Sequence, residues 1–155
     1  MNNAIHIIAI GSPFGDDRLG WEMARQLTEI LPKTISILSL DRPGMSLLSY
    51  FNHETGVLLI DAVQSGAPPG TIHWLEGEDI PKAQQPTSSH GIGIREVFQL
   101  GKTLNILPQQ LNFCGIERDP AWQSIDALSP ALLKSIPLLL EQITNFIHSP
   151  ACKTP

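Results

Sequence analysis

The stretch AIHIIAIG, residues 4–11, decides the fold, because it is an apolar run of strand length that stops at a glycine. A run without polar alternation is typical of a central strand that is buried on both faces, as in parallel sheets. From Leu19 to Leu31 the apolar residues recur at helical spacing with charged and amide side chains between them, and Pro32 follows. The two segments together predict a buried strand that leads into an amphipathic helix.

The rest of the chain continues this alternation. Further strand candidates are residues 35–40, 56–61, 71–75 and 111–116, and further helix candidates are residues 44–51, 94–104 and 130–147. Pro137 lies inside the last helix candidate, and we expect it to kink or split that helix. Strands that alternate with helices predict an α/β fold with a mostly parallel, twisted sheet covered on both faces. We expect a single domain over residues 1–155, with about 149–155 as a flexible tail.

Composition limits the function classes. The chain has 155 residues, a formal charge of −5 and no basic cluster, which argues against nucleic acid or an anionic membrane as its main partner. Cys114 and Cys152 are not spaced as metal ligands, and such sparse cysteine usage is typical of a reducing compartment. The first residues lack the basic start of a secretory signal, and polar residues interrupt the apolar stretch 131–147. We therefore expect a cytoplasmic protein that does not enter a membrane.

Acidic residues and one histidine follow several of the predicted strands. The segment GSPFGDDRLG, residues 11–20, carries Asp16 and Asp17, Asp61 ends the strand candidate 56–61, and His90 begins a predicted helix. Because the carboxyl ends of parallel strands meet at one edge of a sheet, we expect an aspartate of the first segment, Asp61 and His90 to converge. Two carboxylates and one imidazole suit a divalent ion such as nickel or zinc.

Each of these residues also has an ordinary structural interpretation. Aspartates are common at helix N-termini, where they favour the positive end of the dipole, and an aspartate after a strand often caps a turn. A histidine in a loop is more often a capping residue than a ligand. Other chemistries have less support, because the glycine segment lacks the pattern of a phosphate-binding loop and no Gly-x-Ser-x-Gly motif is present.

Several ordered motifs resemble those of the [NiFe]-hydrogenase maturation protease family. They are IIAIG with the acidic turn that ends at Gly20, LDRPGM at 40–45, LIDAV at 59–63, PGT at 69–71, SHG at 89–91 and FCGIE at 113–117. The resemblance covers about residues 5–120 and implies a three-layer α/β/α fold. It also implies that Asp17, the second acid of its pair, contacts a metal together with Asp61 and His90. Ser12 departs from the family's usual asparagine and the turn is about one residue short, so Asp16 stays open as the alternative to Asp17.

The resemblance also implies an activity. A member of this family is expected to be an endopeptidase that removes the C-terminal extension of a hydrogenase large-subunit precursor. Nickel is then carried by the precursor and used for recognition, and Asp17, Asp61 and His90 are both the catalytic set and the metal ligands. Two alternatives remain: a self-contained metal-dependent peptidase on a similar fold, and a non-catalytic chaperone that senses nickel insertion.

Overall fold

The computed structural model describes residues 4–80 and 93–149. His90 and the predicted tail beyond Ser149 therefore lie outside the described residues. The strands of the described part are β1 (Ile5–Gly11), β2 (Ser36–Asp41), β3 (Gly56–Val63), β4 (Ile72–Glu76) and β5 (Gln110–Glu117). Its α-helices are α1 (Leu19–Ile30), α2 (Ile94–Thr103) and α3 (Pro130–His148), and short 3-10 helices lie at Gly15–Arg18, Gly44–Tyr50 and Gly77–Asp79.

The strands form one sheet in the order β2-β1-β3-β5-β4. The first four strands of this order are parallel, and β4 pairs with β5 in the antiparallel direction. In the middle of the sheet, Ala9 of β1 is paired with Ser39 on one side and with Ile60 on the other. The prediction of a single α/β domain with a mostly parallel sheet is confirmed.

Alternate residues of the central strands supply two separate hydrophobic cores, one on each face of the sheet. On one face, Ile7 and Ile60 pack with residues of α1 and α3 such as Met23. The core of the other face contains these strand and helix residues: Ile8, Leu59, Phe113, Leu47, Val97 and Phe98. Two helical layers thus enclose the sheet, which confirms the three-layer α/β/α fold.

Gly20 sets how closely α1 approaches the end of β1. A Cβ atom at this position would clash with the backbone carbonyl of Ile10, so only glycine fits here. The preceding turn is fixed by backbone hydrogen bonds from Ser12 N to Asp17 O (3.0 Å) and from Asp17 N to Phe14 O (3.1 Å). The acidic turn is therefore held directly against the carboxyl end of β1.

The expectation that Pro137 splits the last helix was wrong, because α3 runs without interruption through it. Pro137 has no N–H to donate to the carbonyl of Leu133, one turn earlier in the helix. Both residues lie on the exposed side of α3, so water can donate a hydrogen bond to that carbonyl instead. The Ser129 side chain caps the start of α3 by accepting a hydrogen bond from Leu132 N. Within residues 4–80 and 93–149, no helix is long and apolar enough to cross a membrane.

Two neighbouring leucines of α3 test the assignment of its buried face. Leu132 is fully buried and Leu133 is 56% exposed. We expect Leu132→Ala to lower the free energy of unfolding by about 2–5 kcal/mol, because it leaves a cavity in the core. Leu133→Ala is the matched control and should change it by no more than about 0.5 kcal/mol. Urea denaturation measures both variants, and equal losses would contradict the packing of α3.

Candidate functional site

The two predicted aspartates of the acidic turn have different surroundings. Asp16 is only 4% exposed and its carboxylate points into the protein. It accepts hydrogen bonds from the backbone N of Asp119 (2.9 Å), and from the backbone N (2.7 Å) and Oγ (2.9 Å) of Ser129. Asp16 thereby ties the turn after β1 to the loop after β5 and to the first turn of α3. Both of its oxygens are used in this structural role.

Asp17 lies at the carboxyl edge of the sheet and contacts other groups. Its Oδ1 is 3.2 Å from Nη1 of Arg118, and the two side chains are 16% and 31% exposed, respectively. Its Oδ2 accepts a long hydrogen bond of 3.5 Å from Ser12 Oγ. Of the two acids of the pair, Asp17 is therefore the one that lies beside Arg118 at this edge.

Asp61 lies near the end of β3, at the same edge. Its side chain is half-buried, and its Oδ1 accepts a hydrogen bond of 2.8 Å from the backbone N of Ala62. The pKa of Asp61 is raised to about 8, mainly because the surrounding protein excludes water and then because the charge of Asp17 repels a second negative charge. The hydrogen bond from Ala62 and the charge of Arg118 act in the opposite direction. Asp17, Asp61 and Arg118 thus form one electrostatic group.

The third predicted ligand, His90, lies outside the described residues. Within residues 4–80 and 93–149, no three His, Cys, Asp or Glu side chains are grouped so that they could hold a metal ion. The structure therefore brings together two of the three predicted residues. The convergence of His90 with them stays a prediction.

Sequence reasoning missed two residues that follow from the same strand-end rule. Arg118 comes directly after β5, and Glu117 is the last residue of that strand. Glu117 is buried, and its Oε1 accepts hydrogen bonds from the backbone N of Ser65 (2.7 Å) and Gly66 (2.9 Å). Its Oε2 accepts one from Ser65 Oγ (2.8 Å) and lies 2.9 Å from Nε2 of His73.

The contacts of Glu117 have a consequence for the site. They fix the loop after β3 against β4 and β5, and the backbone N of Arg118 donates to Val63 O at 2.8 Å. Arg118 is therefore tied to the strand that carries Asp61, two residues before Val63. The signal that could have found Arg118 is a charged residue directly after a buried apolar strand.

A family model described as hydrogenase maturation protease matches residues 22–146. The hydrogenase expression/formation protein HoxM of Cupriavidus necator is 32% identical over 76 residues, which cover 48% of this chain and 38% of HoxM. HupD of Rhizobium leguminosarum, a protein of the same description, is 26% identical over 89 residues, 56% of this chain and 44% of HupD. The chain thus spans less than half the length of these two curated relatives.

A solved structure has the same fold. The hydrogenase maturating endopeptidase HybD from E. coli superposes with a TM-score of 0.80, over 93% of this chain and 91% of HybD. The two sequences are 24% identical, so this similarity shows that the two proteins share a fold. The matches agree with the family that the motifs resemble.

The neighbouring aspartates Asp16 and Asp17 provide a matched pair for testing their different roles. We expect Asp16→Ala to lower the free energy of unfolding by about 3 kcal/mol, because it leaves buried donors of Ser129 and Asp119 without an acceptor. Asp17→Ala should lower it by about 1 kcal/mol or less, since its ion pair is partly solvated and its loss also removes repulsion with Asp61. Chemical denaturation gives both values. A larger loss for Asp17→Ala would reverse the assignment.

The raised pKa of Asp61 predicts how stability depends on pH. Between about pH 4, where an unfolded aspartate titrates, and about pH 8, the folded protein keeps a proton on Asp61 that the unfolded chain releases. The contribution of Asp61 to stability is therefore greatest below this window and falls as the pH rises through it. Relative to Asp61→Asn, the wild-type protein should lose stability from pH 5 to pH 8. Urea denaturation at several pH values measures the difference, and a constant difference would contradict the raised pKa.

Proposed function

Because the chain belongs to the hydrogenase maturation protease family, we propose that it is an endopeptidase that removes the C-terminal extension of a [NiFe]-hydrogenase large-subunit precursor. This family and the fold shared with the endopeptidase HybD support hydrolysis of a peptide bond as the reaction. The observation that carries the assignment of the site is the pair of acidic side chains at the carboxyl edge of the sheet, Asp17 and Asp61, where burial and then the charge of Asp17 raise the pKa of Asp61.

The chemistry of this pair fits a divalent metal ion. Two carboxylates that repel each other where water is scarce are stabilised by a cation that binds both oxygens. We propose that Asp17 and Asp61 supply oxygen ligands and His90 a nitrogen ligand to nickel that the precursor already holds. Nickel is then part of the substrate, and the protease recognises precursors that contain it. Lewis acidity toward the scissile carbonyl is the chemistry that such an ion supplies.

We assign the attack on the peptide bond to water. Cys114 is fully buried in the sheet, and burial raises the pKa of its thiol, so it is neither accessible nor reactive. Ser65 donates its hydroxyl hydrogen to the Glu117 carboxylate, which holds this side chain in a structural contact. The roles of the chain's own residues are therefore to bind and orient the nickel-containing end of the precursor. As expected from the composition, we place this reaction in the cytoplasm, with a protein rather than a nucleic acid or a membrane as partner.

Substitution of the aspartates tests the proposed site. We expect Asp61→Asn and Asp17→Asn to slow cleavage of nickel-loaded precursor by at least about 100-fold, because loss of a metal ligand costs at least as much as loss of a group that only orients a ligand. His90→Ala should have a similar effect. Glu54→Gln removes a carboxylate from the loop before β3, at the opposite edge of the sheet, and is the control that should cleave normally. Mass spectrometry of the large subunit before and after incubation measures cleavage.

The same assay separates the alternatives. Normal cleavage by folded Asp17→Asn and Asp61→Asn proteins would remove both residues from the mechanism. Tightly bound zinc in the purified protein, with activity on generic peptides, would favour a self-contained metal-dependent peptidase. Nickel-dependent binding of the precursor without any shortening would favour a non-catalytic chaperone.

A further inference from the structure

Arg118 is a positively charged side chain in direct contact with Asp17, one of the proposed metal ligands. Its Nη1 lies 3.2 Å from Asp17 Oδ1, and its charge also acts on Asp61. The backbone of Arg118 is fixed by its hydrogen bond to Val63 O. The sheet therefore fixes the backbone from which the guanidinium group reaches Asp17.

Two other arginines near the acidic turn make their polar contacts elsewhere, although the charge of Asp17 also acts on Arg42. Arg42 pairs with Asp41 at 2.7 Å and lies over the ring of Phe14, 5.7 Å from its centre. Arg18 donates to the backbone oxygen of Asp126 at 2.7 Å. Arg118 is thus the arginine whose salt bridge occupies an oxygen of the candidate site.

A cation that binds Asp17 through Oδ1 has to compete with this salt bridge. The positive charge of Arg118 also repels any metal ion that approaches the two carboxylates, and the repulsion is strong because water is partly excluded from the site. An arginine keeps its charge at every physiological pH, so Arg118 opposes a metal ion throughout that range.

We propose that Arg118 is a positioning residue that occupies the carboxylate pair in the free protease and is displaced when a metal ion binds. In this role it holds Asp17 at the edge of the sheet and lowers the affinity of the site for free divalent ions. The additional contacts of a bound precursor then supply the free energy that displaces Arg118. This inference rests on the proposed function, because it takes Asp17 and Asp61 as ligands of the precursor's nickel.

Binding of free Ni²⁺ to the metal-free protein tests the role of Arg118. We expect Arg118→Gln to bind Ni²⁺ at least about tenfold more tightly than the wild-type protein in isothermal titration calorimetry, since a nearby positive charge is removed. Arg118→Lys keeps the charge and should stay close to the wild-type affinity. Arg25→Gln breaks a surface salt bridge with Glu22 on α1, 2.6 Å long, and is the matched control that should leave the affinity unchanged.

The double variant Arg118→Gln/Asp61→Asn locates the effect. The double variant should lose the gain in Ni²⁺ affinity, because the tighter binding takes place at Asp17 and Asp61. The proposal would be overturned if Arg118→Gln bound Ni²⁺ no more tightly than the wild-type protein, or if neither protein bound Ni²⁺ detectably. It would also be overturned if the double variant kept the higher Ni²⁺ affinity. A purely structural role of Arg118 predicts weaker binding, not tighter. If Arg118→Gln does not bind Ni²⁺ more tightly but cleavage of the precursor still depends on Asp61, the inference about Arg118 is wrong and the proposed function is unaffected.

Discussion

Burial of the Asp61 side chain beside the negative charge of Asp17 is the constraint on which the candidate site depends. Asp17 and Asp61 come from different strand ends, and burial together with the charge of Asp17 raises the pKa of Asp61. The protein keeps them close because the acidic turn is fixed against β1 and because β3 is a central strand. Such a pair is costly to maintain without a cation, and it is therefore better suited to binding one than to stabilising the fold.

Asp16 makes this arrangement possible. Its buried carboxylate binds the loop after β5 and the first turn of α3, so that the adjacent residue Asp17 faces the edge of the sheet. Two identical amino acids next to each other thus have separate tasks, one in folding and one at the site. The structure thereby explains why an acidic pair, rather than a single aspartate, follows β1.

Much of the fold could be predicted from the sequence, because apolar runs and helical periodicity report directly on burial. The run 4–11 contains β1 (Ile5–Gly11), and the change of period at Leu19 marks the start of α1. The split at Pro137 was predicted wrongly, since the periodicity does not say whether water can reach the carbonyl that the proline leaves unpaired. The family resemblance is confirmed by the family model.

The candidate site could be predicted only in part. Asp61 and the acidic pair followed from the rule that parallel strands end at one edge, but the sequence cannot tell which member of the pair is buried. That difference depends on Ser129, more than a hundred residues away. Arg118 and Glu117 were missed because the rule was not applied to β5. The contacts of Arg118 with Asp17 and of Glu117 with the loop after β3 join residues far apart in the sequence, so a charged residue at a strand end does not by itself identify its partner.

The most direct test of this account is a crystal structure of the protein bound to a nickel-loaded large-subunit precursor, with anomalous diffraction recorded at the nickel absorption edge. The account predicts an anomalous peak within bonding distance of a carboxylate oxygen of Asp17 and of Asp61, with the His90 imidazole as a further ligand. A nickel ion that contacts neither aspartate while the precursor is bound for cleavage would contradict it.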